Sequence, residues 1–179
     1  MYKKTWDMWP LGNTFVFFSL VCYDLSETGD WRSSAMHIRN YKGAGVLLFR
    51  YNKETAEYEA LLGKRSIRQG YGKWAIPGGG RERYDADFRE TAYRELWEET
   101  GIDIKRLQKE ELDEIKTDLP FFRWRTFLVL LLEDATYVRP REFSELRWVP
   151  VSEIRRIDLW ISLGRELRAF NRAIKRSSQ

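Results

Sequence analysis

The sequence predicts an α/β protein in which helices cover both faces of a mixed β-sheet, and three observations support this prediction. Runs rich in β-branched and aromatic residues alternate with polar turns between residues 43 and 133. A helix of about four turns interrupts these runs, and a second, amphipathic helix lies in the last residues. Because each helix has an apolar stripe that needs a sheet face to cover, the pattern indicates an α/β/α sandwich.

The composition of the chain excludes several classes of function. A chain of 179 residues fits one domain with a sizeable core. Its one cysteine, Cys22, permits no internal disulfide, which indicates a reducing compartment such as the cytoplasm. Its one histidine, His37, argues against a Ser-His or Cys-His hydrolase. The net charge of +4 fits an anionic small-molecule substrate and is too modest to indicate a nucleic-acid partner.

The sequence predicts an N-terminal extension, followed by a domain that begins with a β-hairpin. Residues 1–40 form the extension, and its apolar run at 14–23 predicts an extra strand that is too short to span a membrane. Strands are then predicted at 43–51 and 58–65, joined by a polar turn. A further short strand is predicted at 74–76.

The clearest strand, at residues 121–133, follows the first helix. Its period-two alternation places Arg123 and Arg125 on one face, where they point either at phosphate or at water. Beyond them both faces are apolar, as in a central strand covered on each side. The preceding stretch, 105–119, is charge-rich and fits either a short strand or a surface excursion.

The last residues predict a strand, a short turn and a helix. Glu142 begins a loop that leads into the final strand, which ends at Pro150, and residues 151–157 form a short helix or turn. The domain is therefore placed at 41–157. Asp158 is predicted to cap the last helix, 158–179, whose apolar stripe packs on the same domain.

Capping residues mark both ends of the first helix. Asp87 and Glu90 have the spacing of a capping box, and Gly101 is a stop signal. At about 100° per residue, Glu95, Glu98 and Glu99 share one arc beside the apolar stripe. Three carboxylates so close repel one another unless a cation lies among them, so they form either a solvated acidic face or a metal site. Oxygen ligands suit Mg²⁺ or Mn²⁺, and the three-residue glycine loop before the helix, Gly78-Gly79-Gly80, favours the metal site.

These residues resemble the Nudix box, Gly-x5-Glu-x7-Arg-Glu-U-x-Glu-Glu-x-Gly-U, in which U is a bulky apolar residue. The second half matches without a gap, in Arg94, Glu95, Leu96, Glu98, Glu99, Gly101 and Ile102. The first half departs, because Ala86 stands where the first glutamate should lie. One extra loop residue would put Asp85 in that place, with Gly79 as the box glycine.

The resemblance covers residues 43–157 and implies a fold, a reaction and a set of roles. The fold is the Nudix-type α/β/α sandwich around a mixed β-sheet. The reaction is metal-dependent hydrolysis of the diphosphate linkage in a nucleoside diphosphate derivative, such as a nucleoside triphosphate or ADP-ribose. The expected ligands of Mg²⁺ or Mn²⁺ are Glu95, Glu98 and Glu99, with Asp85 as an outer ligand.

The remaining roles concern the substrate and the attacking water. Arg94 is expected to orient a glutamate. Substrate contacts are expected from the arginines and from the glycine loop, namely Arg65, Gly78, Gly79, Arg123 and Arg125. The general base is left open among Glu98, Glu142 and Glu145. A base could stack on Trp74, Phe122 or Trp124, although each could equally be core.

Two other functions stay open at this stage, and one assembly is expected. The chain could be a Nudix-fold module that binds a nucleotide without cleaving it, since the first box glutamate is missing. It could also be an RNA 5′-end pyrophosphohydrolase, which the basic last helix favours. The N-terminal extension resembles additions that supply a homodimer surface in this family.

Overall fold

The computed structural model describes residues 40–67, 70–137 and 142–177. The strand predicted at 14–23, and the homodimer surface expected of the extension, lie outside these residues. Within them the strands are β1 (Tyr41–Asn52), β2 (Glu57–Arg65), β3 (Trp74–Ala75), β4 (Gly78–Gly80), β5 (Lys109–Leu119), β6 (Phe122–Leu131) and β7 (Phe143–Pro150). The helices are α1 (Phe88–Thr100) and α2 (Gly164–Ser177), with 3₁₀ turns at Ile104–Arg106 and Ile154–Arg156. Neither helix has the length and apolar content needed to cross a lipid bilayer.

The strands form one mixed sheet in the order β3-β2-β1-β6-β5, with β4 paired to β1 and β7 paired to β2. The central pair, β1 and β6, is parallel, while the other pairs are antiparallel. The start of β1 pairs with β4 and its end pairs with β2. One strand therefore positions both the glycine loop and the strand that leads to Arg65.

The two faces of the sheet support separate cores, because alternating side chains of β1 point in opposite directions. Val46 and Leu48 pack in one core with Leu96 of α1. Phe49 packs in the other core with Phe170 of α2, and their rings stack with centroids 3.9 Å apart. A helix thus covers each face, which confirms the predicted α/β/α sandwich.

The structure resolves the ambiguous stretch before the clearest strand. Lys109–Leu119 is an edge strand that pairs with β6 and has a register shift between Glu111 and Asp113. The prediction of a central strand is confirmed, since β6 lies between β1 and β5. Its alternation is confirmed as well, because Phe127 and Leu128 belong to opposite cores.

The predicted start of the last helix is wrong. Helix α2 begins at Gly164, and Asp158 does not cap it. The backbone carbonyl of Asp158 instead accepts a hydrogen bond from the amide of Trp74, and the amide of Trp160 donates to the carbonyl of Trp74. Leu159 also bridges Trp74 in parallel. Residues 158–160 therefore extend the sheet edge at β3, which excludes a helical conformation there.

Both predicted ends of α1 are confirmed. The Asp87 carboxylate accepts a hydrogen bond of 2.8 Å from the amide of Glu90, and the Glu90 carboxylate accepts one of 2.8 Å from the amide of Ala86. At the other end, Gly101 has a left-handed φ of 76° and its amide donates to the carbonyl of Trp97. These caps satisfy backbone groups that a helix leaves without partners and so fix where α1 starts and stops.

We expect Asp87→Ala to lower the free energy of unfolding by about 1 kcal/mol, because the substitution removes the side-chain acceptor at the N-terminus of α1. Urea unfolding of the variant and the wild type measures the difference. Asp87→Asn is the matched control, since asparagine also accepts the capping hydrogen bond. Equal losses in both variants would mean that the charge of Asp87, rather than its capping oxygen, stabilises the helix.

Candidate active site

The glycine loop lies directly against β1 on one side and against α1 on the other. A Cβ atom on Gly78 would lie 2.5 Å from the Cα atom of Gly45 in β1. A Cβ atom on Gly79 would lie 2.6 Å from the carboxyl carbon of Glu95 in α1. At Gly78 the close atoms belong to the backbone of β1, so a larger residue would push the loop away from the strand; at Gly79 a larger residue would displace the end of the Glu95 side chain.

Beside the glycine loop, the guanidinium of Arg94 forms ion pairs with several acidic side chains. Its Nη1 atom lies 2.9 Å from a carboxylate oxygen of Glu95 and 3.0 Å from one of Glu98. Its Nη2 atom donates to the carbonyl of Gly80 at 2.9 Å. On its other side, the guanidinium contacts both oxygens of Asp85, at 3.0 Å from Nε and 3.1 Å from Nη2. One cation therefore holds three carboxylates and the loop together.

Asp85, the residue expected to stand in for the missing box glutamate, is a buried partner of Arg94. Its side chain is 1% exposed, and it also accepts hydrogen bonds from the amide of Glu82 at 2.8 Å and from the hydroxyl of Thr91 at 2.9 Å. Burial works to raise the pKa of Asp85, but the hydrogen bonds from Arg94, Glu82 and Thr91 outweigh it and lower the pKa. Protein donors therefore occupy both carboxylate oxygens of Asp85. The contribution of Thr91 was not predicted from the sequence.

The surroundings of Glu95 and Glu99 disfavour the ionised form of both side chains. Burial raises the pKa of Glu99 to about 8, and the charges of Glu142 and Glu95 add to the rise, although a hydrogen bond of 2.8 Å from the amide of Gly78 opposes it. Burial also raises the pKa of Glu95; Arg94 opposes that rise, while Glu98 and Glu142 add to it. Both groups would be stabilised as anions by a cation placed among them.

Glu142 is the later carboxylate that the structure brings to this cluster. Its charge acts on Glu95 and Glu99. Its backbone carbonyl is held by the amide and the hydroxyl of Ser66, at 3.0 Å and 2.7 Å. Glu145, which the sequence analysis also named, is in β7 and forms an ion pair of 3.7 Å with Arg147. Glu142 is therefore the better-placed candidate for a general base.

Of the three predicted substrate arginines, Arg65 lies at the cluster. Burial lowers the pKa of Arg65, and the charges of Glu99 and Glu142 oppose that shift. Its guanidinium carbon is 5.5 Å from the centre of the Trp160 ring, in the segment that extends β3. Trp160 was not predicted as a site residue, because the sequence pattern placed it in the last helix.

The other two arginines are placed differently. Arg125 pairs with Asp118 at 2.9 Å and with Glu114 at 3.4 Å, and its guanidinium lies over the ring of Phe88. These contacts satisfy its charge within the β5–β6 hairpin. Arg123 is exposed near the start of β6. The structure thus gives Arg125 a structural environment and does not bring Arg123 into the network around Arg94.

The carboxylate oxygens at this site are ligands that a hard divalent cation prefers, but they are not arranged as a complete coordination shell. Among the described residues, no three Asp, Glu, His or Cys side chains converge closely enough to hold one ion. Glu95 and Glu98 are turned toward Arg94, and Glu99 toward the amide of Gly78. All three nevertheless offer oxygen ligands: Glu99 contacts Gly78, Glu95 lies against Gly79, and Glu98 is connected to Gly80 through Arg94. Their mutual repulsion favours a cation.

A NUDIX domain family model matches residues 41–170. The match includes every strand described above, α1, and the first half of α2. The chain belongs to the Nudix family, which confirms the resemblance read from the box.

Two curated relatives carry diphosphatase names. Peroxisomal coenzyme A diphosphatase 1 of Saccharomyces cerevisiae is 34% identical over 117 residues, which are 62% of this chain and 34% of the yeast protein. A Mycobacterium tuberculosis protein, provisionally named 8-oxo-dGTP diphosphatase 3, is 31% identical over 118 residues, which are 63% of this chain and 54% of that protein. The chain thus spans from about a third to about a half of the length of these relatives.

Solved structures share the fold at lower identity. A C. elegans Ap4A hydrolase complex has a TM-score of 0.61 and 20% identity, and the alignment covers 75% of this chain and 98% of that one. The NUDIX domain of Shewanella oneidensis NrtR, complexed with ADP ribose, has a TM-score of 0.59 and 19% identity, with 75% and 88% covered. At this identity the similarity shows the fold alone.

We expect Asp85→Asn to lower the free energy of unfolding by about 3 kcal/mol at neutral pH, because the half-buried Arg94 loses the most buried of its three carboxylate partners. The folded pKa of Asp85 lies below its ordinary value of 3.8. Its contribution is therefore fully present above about pH 4 and is lost as the pH falls through the folded pKa. Urea unfolding from pH 7 down to pH 3 measures both effects.

Asp103→Asn is the control for that experiment, because Asp103 forms an exposed ion pair with Arg106 on the surface. It should change the unfolding free energy by less than about 0.5 kcal/mol. A wild-type advantage over Asp85→Asn that persists unchanged at pH 3 would contradict an ionised Asp85 as the partner of Arg94.

We expect Glu99→Gln to raise the melting temperature in EDTA at pH 9. The pKa of Glu99 is about 8 in the folded protein against an ordinary 4.5, so ionisation of Glu99 destabilises the folded state. The stability that this group contributes when protonated is fully present below the ordinary pKa and is lost as the pH rises through the folded pKa. Glutamine retains an oxygen for the amide of Gly78 without the buried charge. The advantage should vanish near pH 5, and Glu98→Gln, at a more exposed position, should not show it. A lower melting temperature for Glu99→Gln at pH 9 would refute the unfavourable buried charge.

Proposed function

We propose that this chain is a metal-dependent hydrolase that cleaves the diphosphate linkage of a nucleoside diphosphate derivative by attack of water on phosphorus. One observation carries the proposal: Arg94 holds Glu95 and Glu98 of α1 while it donates to the carbonyl of Gly80, and the amide of Gly78 holds Glu99. The diphosphatase names of the curated relatives support the same reaction class.

The three helix glutamates would hold Mg²⁺ or Mn²⁺. When bound, such an ion neutralises charge on the phosphate oxygens and lowers the pKa of a water molecule. Arg94 would keep Glu95 and Glu98 oriented toward the loop, since its guanidinium is itself fixed by the buried Asp85. The role of Asp85 is therefore to position Arg94, rather than to bind the ion.

Other residues would bind the diphosphate and manage the proton. Arg65 presents a planar, permanently charged fork beside Glu99 and Glu142, and such a fork suits phosphate oxygens. The backbone of Gly78 and Gly79 lets the chain approach the substrate closely. Glu142 would accept the proton of the attacking water, because among the candidate carboxylates outside α1 its charge acts on the cluster.

The substrate class is defined by its diphosphate and its nucleoside. One curated relative is named for coenzyme A and another for 8-oxo-dGTP, and both compounds contain a nucleoside joined to a phosphate anhydride. A nucleoside triphosphate, a nucleotide sugar such as ADP-ribose, and coenzyme A therefore belong to the panel that should be assayed. Release of a labelled 5′ phosphate from RNA distinguishes the RNA 5′-end alternative.

We expect Glu98→Gln to lower kcat by at least about a hundredfold, because it removes a carboxylate that neutralises the ion. EDTA should abolish the wild-type activity, and Mg²⁺ or Mn²⁺ should restore it. Glu110→Gln, an exposed change of the same kind on β5, is the matched control and should leave kcat unchanged.

A binding module that does not hydrolyse nucleotides would show saturable nucleotide binding and no turnover of any compound in the panel. Full turnover in excess EDTA, or an unchanged kcat in Glu98→Gln, would overturn the proposed role of the glutamate cluster. Circular dichroism of each variant confirms that the fold is intact.

A further inference from the structure

A row of aromatic rings lies on one face of the sheet beside the glycine loop. Tyr41 starts β1 and is the direct register partner of Phe122 in β6. Their rings stack with centroids 5.4 Å apart and planes 12° apart. Phe122 in turn stacks with Trp124, two residues further along the same face, at 6.4 Å and 12°. The three rings are therefore nearly parallel, and we call them the aromatic row.

Two glycines of β1 make room for the inner end of this row. A Cβ atom on Gly43 would lie 2.7 Å from the Trp124 ring, and one on Gly45 would lie 3.1 Å from it. The indole thus lies directly on the β1 backbone, and its Nε1 donates a hydrogen bond of 3.1 Å to the hydroxyl of Thr126, which fixes its orientation. A ring held in this way by side-chain-free backbone is preorganised rather than mobile.

The outer end of the row reaches the candidate active site. A Cβ atom on Gly80 would lie 3.9 Å from the Tyr41 hydroxyl oxygen. The preceding loop residue, Gly79, lies against the carboxyl group of Glu95. Burial raises the pKa of Tyr41, the charge of Glu95 raises it further, and the charge of Arg65 opposes the rise. Tyr41 therefore lies within electrostatic range of both a proposed metal ligand and the proposed diphosphate contact, while the residue is 41% exposed.

We propose that the aromatic row, Tyr41–Phe122–Trp124, is the subsite that receives the planar heteroaromatic base of the substrate, with Tyr41 as the residue that stacks on the base. The proposal rests on the hydrolase function proposed above and extends it from the diphosphate to the nucleoside. Parallel rings offer a flat surface to another flat ring, and stacking of a base on an aromatic side chain tolerates differences in base identity. A base placed there would direct its 5′ phosphates toward Arg65 and the glutamates.

The test compares ligands that share a sugar and a phosphate but differ in the base. AMP, GMP and ribose 5-phosphate are titrated into the whole protein by calorimetry in the presence of Mg²⁺; none of them contains a diphosphate linkage. The wild type should bind AMP and GMP at least about tenfold more tightly than ribose 5-phosphate, which is the size of effect expected from one base–aromatic stack.

Variants assign this difference to the aromatic row. Tyr41→Ala and Phe122→Leu should each weaken AMP and GMP binding about tenfold and leave ribose 5-phosphate binding unchanged. Tyr51→Ala is the matched control, because Tyr51 is an equally exposed tyrosine at the other end of the same strand, and it should change none of the three affinities. Using two variants keeps the test valid if one of them fails to fold.

The proposal is overturned if the wild type binds the three ligands equally or does not bind the nucleotides. It is also overturned if Tyr41→Ala weakens ribose 5-phosphate as much as AMP, or has the same effect as Tyr51→Ala. Binding is read without turnover, so the two proposals fail separately. A protein that prefers AMP but hydrolyses nothing contradicts the hydrolase, and one that hydrolyses but binds AMP and ribose 5-phosphate alike contradicts the base subsite.

Discussion

The ion pair between Arg94 and the buried Asp85 is the interaction on which the site depends. Glu95, Glu98 and Glu99 are crowded onto one arc of α1, and their repulsion must be offset for the helix to pack against the glycine loop. Arg94 offsets it for the first two, but a guanidinium that is free to rotate could not hold them in one place. Both oxygens of Asp85 fix the guanidinium, and Thr91 and the amide of Glu82 fix Asp85 in turn. A turn before α1 places Asp85 there, since the amide of Asp85 donates to the carbonyl of Glu82 and the amide of Glu82 donates to the Asp85 carboxylate.

Strand β1 connects this network to the rest of the molecule. Its start pairs with the glycine loop and with β6, its end pairs with β2, and its alternating side chains divide the two cores. Gly43 and Gly45 contribute no side chain to either core, where larger residues would normally add stability. In exchange, the loop and the Trp124 ring approach the backbone closely. The buried charge of Glu99 likewise costs stability in the absence of a cation. Both features are explained if this region is arranged for ligand binding rather than for maximal stability.

Local signals predicted much of this arrangement, whereas long-range pairing did not follow from the sequence. The helix limits at Asp87 and Gly101 and the alternation in β6 depend on neighbours a few residues apart, and both predictions were confirmed. Arg65 and Glu142 meet because β2 pairs with β7, which places Arg65 opposite Phe143. No spacing in the sequence encodes that register. Arg125 was expected near phosphate, but the β5–β6 register gives it Asp118 as a partner instead. The start of α2 was misplaced because backbone pairing of residues 158–160 with Trp74 outweighed a local capping signal.

The central claim is that this cluster of carboxylates supports attack of water on the phosphorus of a diphosphate linkage. The most direct measurement is the mass of the products when ADP-ribose, coenzyme A and nucleoside triphosphates are incubated in ¹⁸O-labelled water with Mg²⁺. The account predicts cleavage between two phosphates of at least one compound, with a single ¹⁸O atom in one phosphate-containing product and no cleavage in EDTA. Cleavage outside the phosphate chain, product phosphates without the label, or no cleavage of any compound would contradict it.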